Sequence, residues 1–111
     1  LGFYKEKAGF EEIVALVKGD PLQLYIEIPS RIRNRMEIVV GNRIRCIVKD
    51  IIDKEGNSVA EVNQETLWEV MGYWHELYIP PEDASRYGVK KNDYARLVLR
   101  SVVRGSDEVE I

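Results

Sequence analysis

A stretch of twenty-one residues in the first half of this chain recurs, without a gap, fifty-one positions later. Residues 28–48 align with residues 79–99, so that Ile28-Pro29 meets Ile79-Pro80, Ile38 meets Val89, and Gly41-Asn42 meets Asn92-Asp93. Two copies are too few to stack as a solenoid, which needs about three repeats or more. Six polar residues, Asp53-Lys54-Glu55-Gly56-Asn57-Ser58, separate the halves. That is a turn, and it cannot isolate two bodies each too small to bury its own apolar face. The duplication therefore predicts one domain over residues 1–111, built from half-repeats 10–52 and 59–103 that close on one another.

Each copy has the same physical grammar. Proline cannot donate to a sheet ladder and its fixed φ suits a first helical turn, so Ile-Pro ends a strand and opens a helix. About six residues with few β-branched members follow, enough for one short helix starting near Ser30 and near Glu82. Gly41-Asn42 and Asn92-Asp93 are pairs that tolerate positive φ, and each precedes a long alternating strand. Upstream, Glu12 to Gly19 matches Glu65 to Gly72 at an offset of fifty-three. The two-residue difference falls in the connecting turns, Gly19-Asp20-Pro21 and Gly72-Tyr73. Taken alone, residues 61–71 have near-helical apolar spacing; the repeat requires a strand there instead.

"Ile-Pro, short helix, apolar residue, Gly-Asn, strand" resembles the signature of the AbrB/SpoVT/MazE-type transcription factors. It resembles equally the double-psi β-barrels, with which those factors form the cradle-loop barrel group. The likeness covers roughly residues 10–52 and 59–103, although the turns read Gly-Asn and Asn-Asp where AbrB-type sequences usually read Gly-Asp. It implies an all-β fold with two short helices: a single cradle-loop β-barrel with an internal pseudo-two-fold. Separate AbrB-type chains dimerise to complete their barrel, so a fused pair is expected to close its own as a monomer, dimerisation remaining open. The activity it implies is DNA binding in transcription regulation.

Strand alternation sorts the last strand of each copy. Ile44, Cys46 and Val48 should share a core with Ala95, Leu97 and Leu99, while Arg43, Arg45, Lys49, Arg96 and Arg100 face out. Three basic positions are repeat-related: Arg35 with Arg86, Arg45 with Arg96, and Lys49 with Arg100. Residues 28–52 hold six basic groups against two acidic ones, and residues 79–103 five against three, in a chain whose net charge is −3. A basic surface concentrated on an acidic protein is the electrostatic footprint of phosphate-backbone binding. The candidate nucleic-acid contacts are Arg31, Arg33, Arg35, Arg43, Arg45, Lys49, Arg86, Arg96 and Arg100. Alternating basic residues are also what a solvated or aggregation-resistant strand carries. A protein- or ligand-binding β-barrel module without enzymatic activity is therefore the alternative function, and duplex DNA or another protein the expected partner.

The remaining chemistry-bearing residues read as structural. There is no metal-ligand spacing, nucleophile elbow or glycine-rich phosphate loop, so no catalytic residue, metal or cofactor is expected. His75 is the single histidine and reads as a packing or surface residue, and Cys46 as a buried thiol. Trp68, Tyr73, Trp74 and Tyr78 read as core around the second hairpin. The last eight residues, from Arg104, are expected to fray as an acidic tail. With 45% hydrophobic and 32% charged residues, no apolar run of membrane length and one cysteine, the chain is expected to be soluble and cytoplasmic. Its abundance of Arg, Lys, Glu, Ile and Val leans towards a thermophile, and Leu1 suggests a piece of something longer.

Overall fold

Pro29 and Pro80 stand where strands hand over to helices, and the rest of the architecture is arranged around those two points. A computed structural model of the chain describes residues 11–20, 23–72 and 76–111. Pro21, Tyr73, Trp74 and His75 lie outside the described residues. The elements run β1 (Glu11–Leu16), β2 (Lys18–Asp20), β3 (Gln23–Glu27), α1 (Ser30–Met36), β4 (Arg43–Ile52) and β5 (Ser58–Met71). Then follow β6 (Glu76–Ile79), α2 (Pro81–Tyr87), β7 (Tyr94–Arg104) and β8 (Asp107–Glu110). The described residues are all-β with two short helices, and residues 61–71 are strand, as the repeat requires.

The two halves are related by a pseudo-two-fold that can be read from the ladders. Along β4 and β7 the pairs run from Arg43↔Val103 to Arg45↔Ser101, from Cys46↔Leu99 to Val48↔Leu97, and from Asp50↔Arg96 to Ile52↔Tyr94. Exchanging each residue for its repeat mate turns every pair into another pair of the same ladder. Ile47↔Val98 maps onto itself, so the axis passes there. It passes again at Ile26↔Leu77, which the exchange leaves unchanged in the β3–β6 ladder. Lys49 and Arg100 are the two residues the β4–β7 ladder skips, one β-bulge in each half.

The tight turns obey the same symmetry. Asn42 Oδ1 accepts from the Val39 amide at 3.0 Å, and Asp93 Oδ2 accepts from the Lys90 amide at 2.9 Å. Each turn then docks on the other half. The Val17 amide donates to the Asp93 carbonyl at 2.8 Å, and the Val70 amide donates to the Asn42 carbonyl at 2.8 Å. An Asn side chain serves as well as an Asp one because the position needs only an oxygen acceptor.

Pairing runs β1-β7-β4-β5-β6-β3-β2, and only Val17 separates β1 from β2 in the chain. The curled sheet thus begins and ends on neighbouring stretches of backbone. Its interior holds Ile44, Cys46 and Val48 with Ala95, Leu97 and Leu99, as the alternation predicts. Trp68 is buried with them, and its indole Nε1 donates to Asp83 Oδ2 at 2.8 Å, fastening α2 to β5. Burying each aliphatic side chain contributes about 1.5–3 kcal/mol.

The expected frayed tail is corrected. Gly105, at φ 60, turns the chain back so that β8 pairs with β7, and the buried Ile111 donates its amide to the Arg100 carbonyl at 2.9 Å. Gly supplies the left-handed turn without a Cβ clash. β8 and β1 together cover along β7 what the single strand β5 covers along β4, with Ile111 beside Arg100 and Glu11 opposite Leu99.

Candidate functional site

The structure places the candidate basic residues on the outer surface and gives most of them a carboxylate of the same chain. On β7, Arg96 holds Asp50 through two bonds, Nε–Oδ1 at 3.0 Å and Nη2–Oδ2 at 2.6 Å. Arg45 on β4 meets Glu108 at 2.8 Å and Glu65 at 3.3 Å, and Arg100 reaches the same Glu65 at 2.9 Å. In α1, Arg31 and Arg35 share Glu11 at 2.9 and 3.6 Å. Arg86 turns back on Asp83 at 3.4 Å within α2. Arg33 is half-buried in α1, with its Nε enclosed. Arg43 is exposed at the start of β4 opposite Glu69, and Lys49 is half-buried at its bulge. These residues form separate ion-paired groups; Arg45 and Arg100 are brought together through Glu65, and Lys49 and Arg96 line one cleft.

That cleft is polar, about 450 Å³, and is formed by Lys49, Asp50, Ser58, Glu61, Asn63 and Arg96. Its repeat mate, around Arg100, Ser101, Glu110 and Arg45, shrinks to about 60 Å³, and Glu108 stands in it. Bonds from Arg45 and from the Ser101 hydroxyl hold the Glu108 carboxyl down at about 2, against an ordinary 4.5. Its partner Arg45 is shifted the opposite way, up from its ordinary value, chiefly by the bond to Glu108.

A second surface feature is apolar. A half-open groove of about 510 Å³ lies between α2 and the β3–β6 ladder, floored by Leu24, Ile79, Ala84 and Val89 with Pro81 and Ser85 beside them. Lys90 and Lys91, both exposed, stand at its rim. Among the described residues neither ammonium has a carboxylate partner. The two copies differ in sequence at the positions that line this groove. Ala84 takes the place that Arg33 takes in the first copy, and Lys90-Lys91 the place of Val39-Val40.

The chain matches no family model, no curated protein and no solved structure. The site must therefore be judged on its own chemistry.

Among the described residues, no three His, Cys, Asp or Glu side chains converge to hold a metal ion. Burial pushes the Cys46 thiol up to about 12, and its Sγ lies 3.2 Å from Thr66 Oγ1. A thiol so held is a packing group, since nucleophilic attack needs the thiolate. No helix among the described residues is long and apolar enough to cross a membrane.

Sequence reasoning missed the groove. The signal was available as a difference between the copies, a large Arg against a small Ala at one aligned position, but the search for basic residues passes over it. It also missed the carboxylate partners, because they come from strands far along the chain: Glu65 is 20 residues from Arg45, Asp50 is 46 from Arg96, and Glu108 is 63 from Arg45.

Proposed function

We propose that this chain is a binding module without enzymatic activity, and that its binding element is the groove beside α2. One observation carries the reading: Arg45, Arg96 and Arg100 of the β4–β7 face are held by carboxylates of the same chain, whereas the groove is largely apolar, half-open and, among the described residues, unfilled. Phosphate contact at Arg45, Arg96 or Arg100 would have to displace Glu65, Glu108 or Asp50, each within 2.6–3.3 Å of a guanidinium. Small-ligand sites are concave, largely apolar and about 300–1,000 Å³, and a few polar groups fix the orientation of what they hold. The groove fits that description.

Duplex-DNA binding is the second reading, and α1 favours it. Arg31 and Arg35 are 60% and 51% exposed and share one carboxylate, and Arg43 is exposed nearby in the chain. The sequence resemblance to AbrB-type regulators lends it weight. Titration of the protein with labelled duplex DNA at several salt concentrations separates the two. A phosphate-binding surface loses affinity steeply as salt rises, and replacing Arg31, Arg35 and Arg43 with Ala would flatten that slope by about one unit per lost contact. The groove reading expects no salt-dependent binding at low salt. It expects instead that decanol, a neutral apolar probe, shifts the backbone amide resonances of Ala84, Val89 and Lys90.

A further inference from the structure

We propose that the groove takes an anionic amphiphile: a medium-length acyl chain laid along the floor, with its carboxylate drawn to Lys90 and Lys91. This inference rests on the groove being the binding element and adds the chemistry of what it binds. The floor side chains Leu24, Ile79, Ala84 and Val89 are apolar, with Pro81 and the single neutral hydroxyl of Ser85 beside them. The rim carries two ammonium groups, one residue apart, that no carboxylate of the described chain neutralises. Apolar floor and cationic rim together complement a chain with a negative head.

Size selects a small molecule over a folded partner. A stable protein interface draws on about 20–30 residues a side, more than the eight that line this cleft of about 510 Å³. The first copy serves as an internal control. Its aligned positions hold Arg33, Val39 and Val40, a large side chain in place of Ala84 and no cation in place of the two lysines. The second copy alone combines the small Ala84 with the two lysines.

The test uses decanoate and decanol as probes of the whole chain, read by calorimetry and by amide chemical shifts. Decanoate should bind about three- to tenfold more tightly than decanol, the range expected of two exposed ion contacts. High salt should narrow that gap by screening. Lys90→Val with Lys91→Val, the residues of the first copy, should equalise the two probes while leaving decanol binding in place. Ala84→Arg, again the residue of the first copy, should abolish both, with an unchanged melting temperature confirming the fold. Equal binding of both probes by the unaltered chain overturns the anionic assignment and leaves the groove reading standing. Binding of neither probe, or binding that survives Ala84→Arg, overturns the groove reading itself. A preference for decyltrimethylammonium would overturn the charge assignment outright.

Discussion

Arg96 grips Asp50 across the β4–β7 ladder through two bonds, of 3.0 and 2.6 Å, and the pseudo-two-fold carries this pair onto Arg45 and Ser101. Ser101 has no charge to offer, and the missing carboxylate arrives from elsewhere: β8 brings Glu108 to Arg45 at 2.8 Å, with the Ser101 hydroxyl on the same carboxylate. The duplicated scaffold thus keeps an arginine–carboxylate pair in both halves while changing which strand supplies the acid. A bidentate pair of this kind fixes its partners more firmly than a single surface ion pair.

Glu108 should make the β8 hairpin acid-sensitive. Its carboxyl is held at about 2 in the folded chain, below an ordinary 4.5, first by the Arg45 bond and then by Ser101. A depressed carboxylate contributes stability that is complete above its unfolded value and is lost as pH falls towards the folded one. Melting temperature should therefore drop between about pH 4.5 and pH 2, and Glu108→Gln should remove that part of the drop. Thermal melts of both proteins across that window check it; parallel curves would show that the pair stabilises nothing.

The two helices end alike in backbone but not in residue, which yields a stabilising substitution. Glu37 closes α1 at φ 53, and Gly88 closes α2 at φ 72, both left-handed. A side chain in that region costs about 1 kcal/mol, and glycine is the usual solution. Glu37→Gly should raise stability by about 0.5–1 kcal/mol, and Gly88→Ala should lower it by a similar amount. Urea midpoints of the two variants should move in opposite directions.

The turn glycines separate by what surrounds them. A Cβ on Gly19 would collide with the Gln23 carbonyl oxygen, backbone that cannot step aside, whereas on Gly72 it would meet Glu76 Oε1 at 2.6 Å. A glutamate side chain can rotate away. Both positions have positive φ, so both substitutions are strained, yet Gly19→Ala should destabilise clearly more than Gly72→Ala. Equal losses in denaturant melts would mean that the Gln23 backbone yields more readily than its β2–β3 pairing implies.

What could be seen in the sequence was whatever repeats. Ile-Pro and the turn pairs Gly41-Asn42 and Asn92-Asp93 recur at one spacing because each copy needs the same backbone, and Gly41 and Asn92 do take positive φ. The alternation of Ile44, Cys46 and Val48 was visible because the strand has one buried face. β8 was hidden: Asp107, Glu108 and Glu110 read as a solvated tail, and only the β7 edge and Arg45 give them a place. The ion pairs were hidden because pairing depends on ladder register, which periodicity alone does not report. The groove was hidden because it is an absence of volume, and a search for charge or motif does not register an alanine.

Cys46 tests how well this core satisfies polar atoms. From the sequence, Cys46→Ser buries a hydroxyl without an assured partner and should cost about 1–3 kcal/mol. The structure places Thr66 Oγ1 3.2 Å from Sγ, on the strand directly across. Thr66 Oγ1 also lies 3.5 Å from the Cys46 carbonyl oxygen, so it can bond at this position in more than one way. A serine hydroxyl, shorter and better as a donor, would find that acceptor, and the loss should sit near the lower end, at about 1 kcal/mol. Thr66→Val in the same background strips the partner away and should restore the full penalty, so the two substitutions together should cost more than their separate losses added. A double-mutant cycle by urea denaturation measures the coupling. Strict additivity would show that the Cys46–Thr66 contact carries no bond, and that the buried serine is satisfied in some other way.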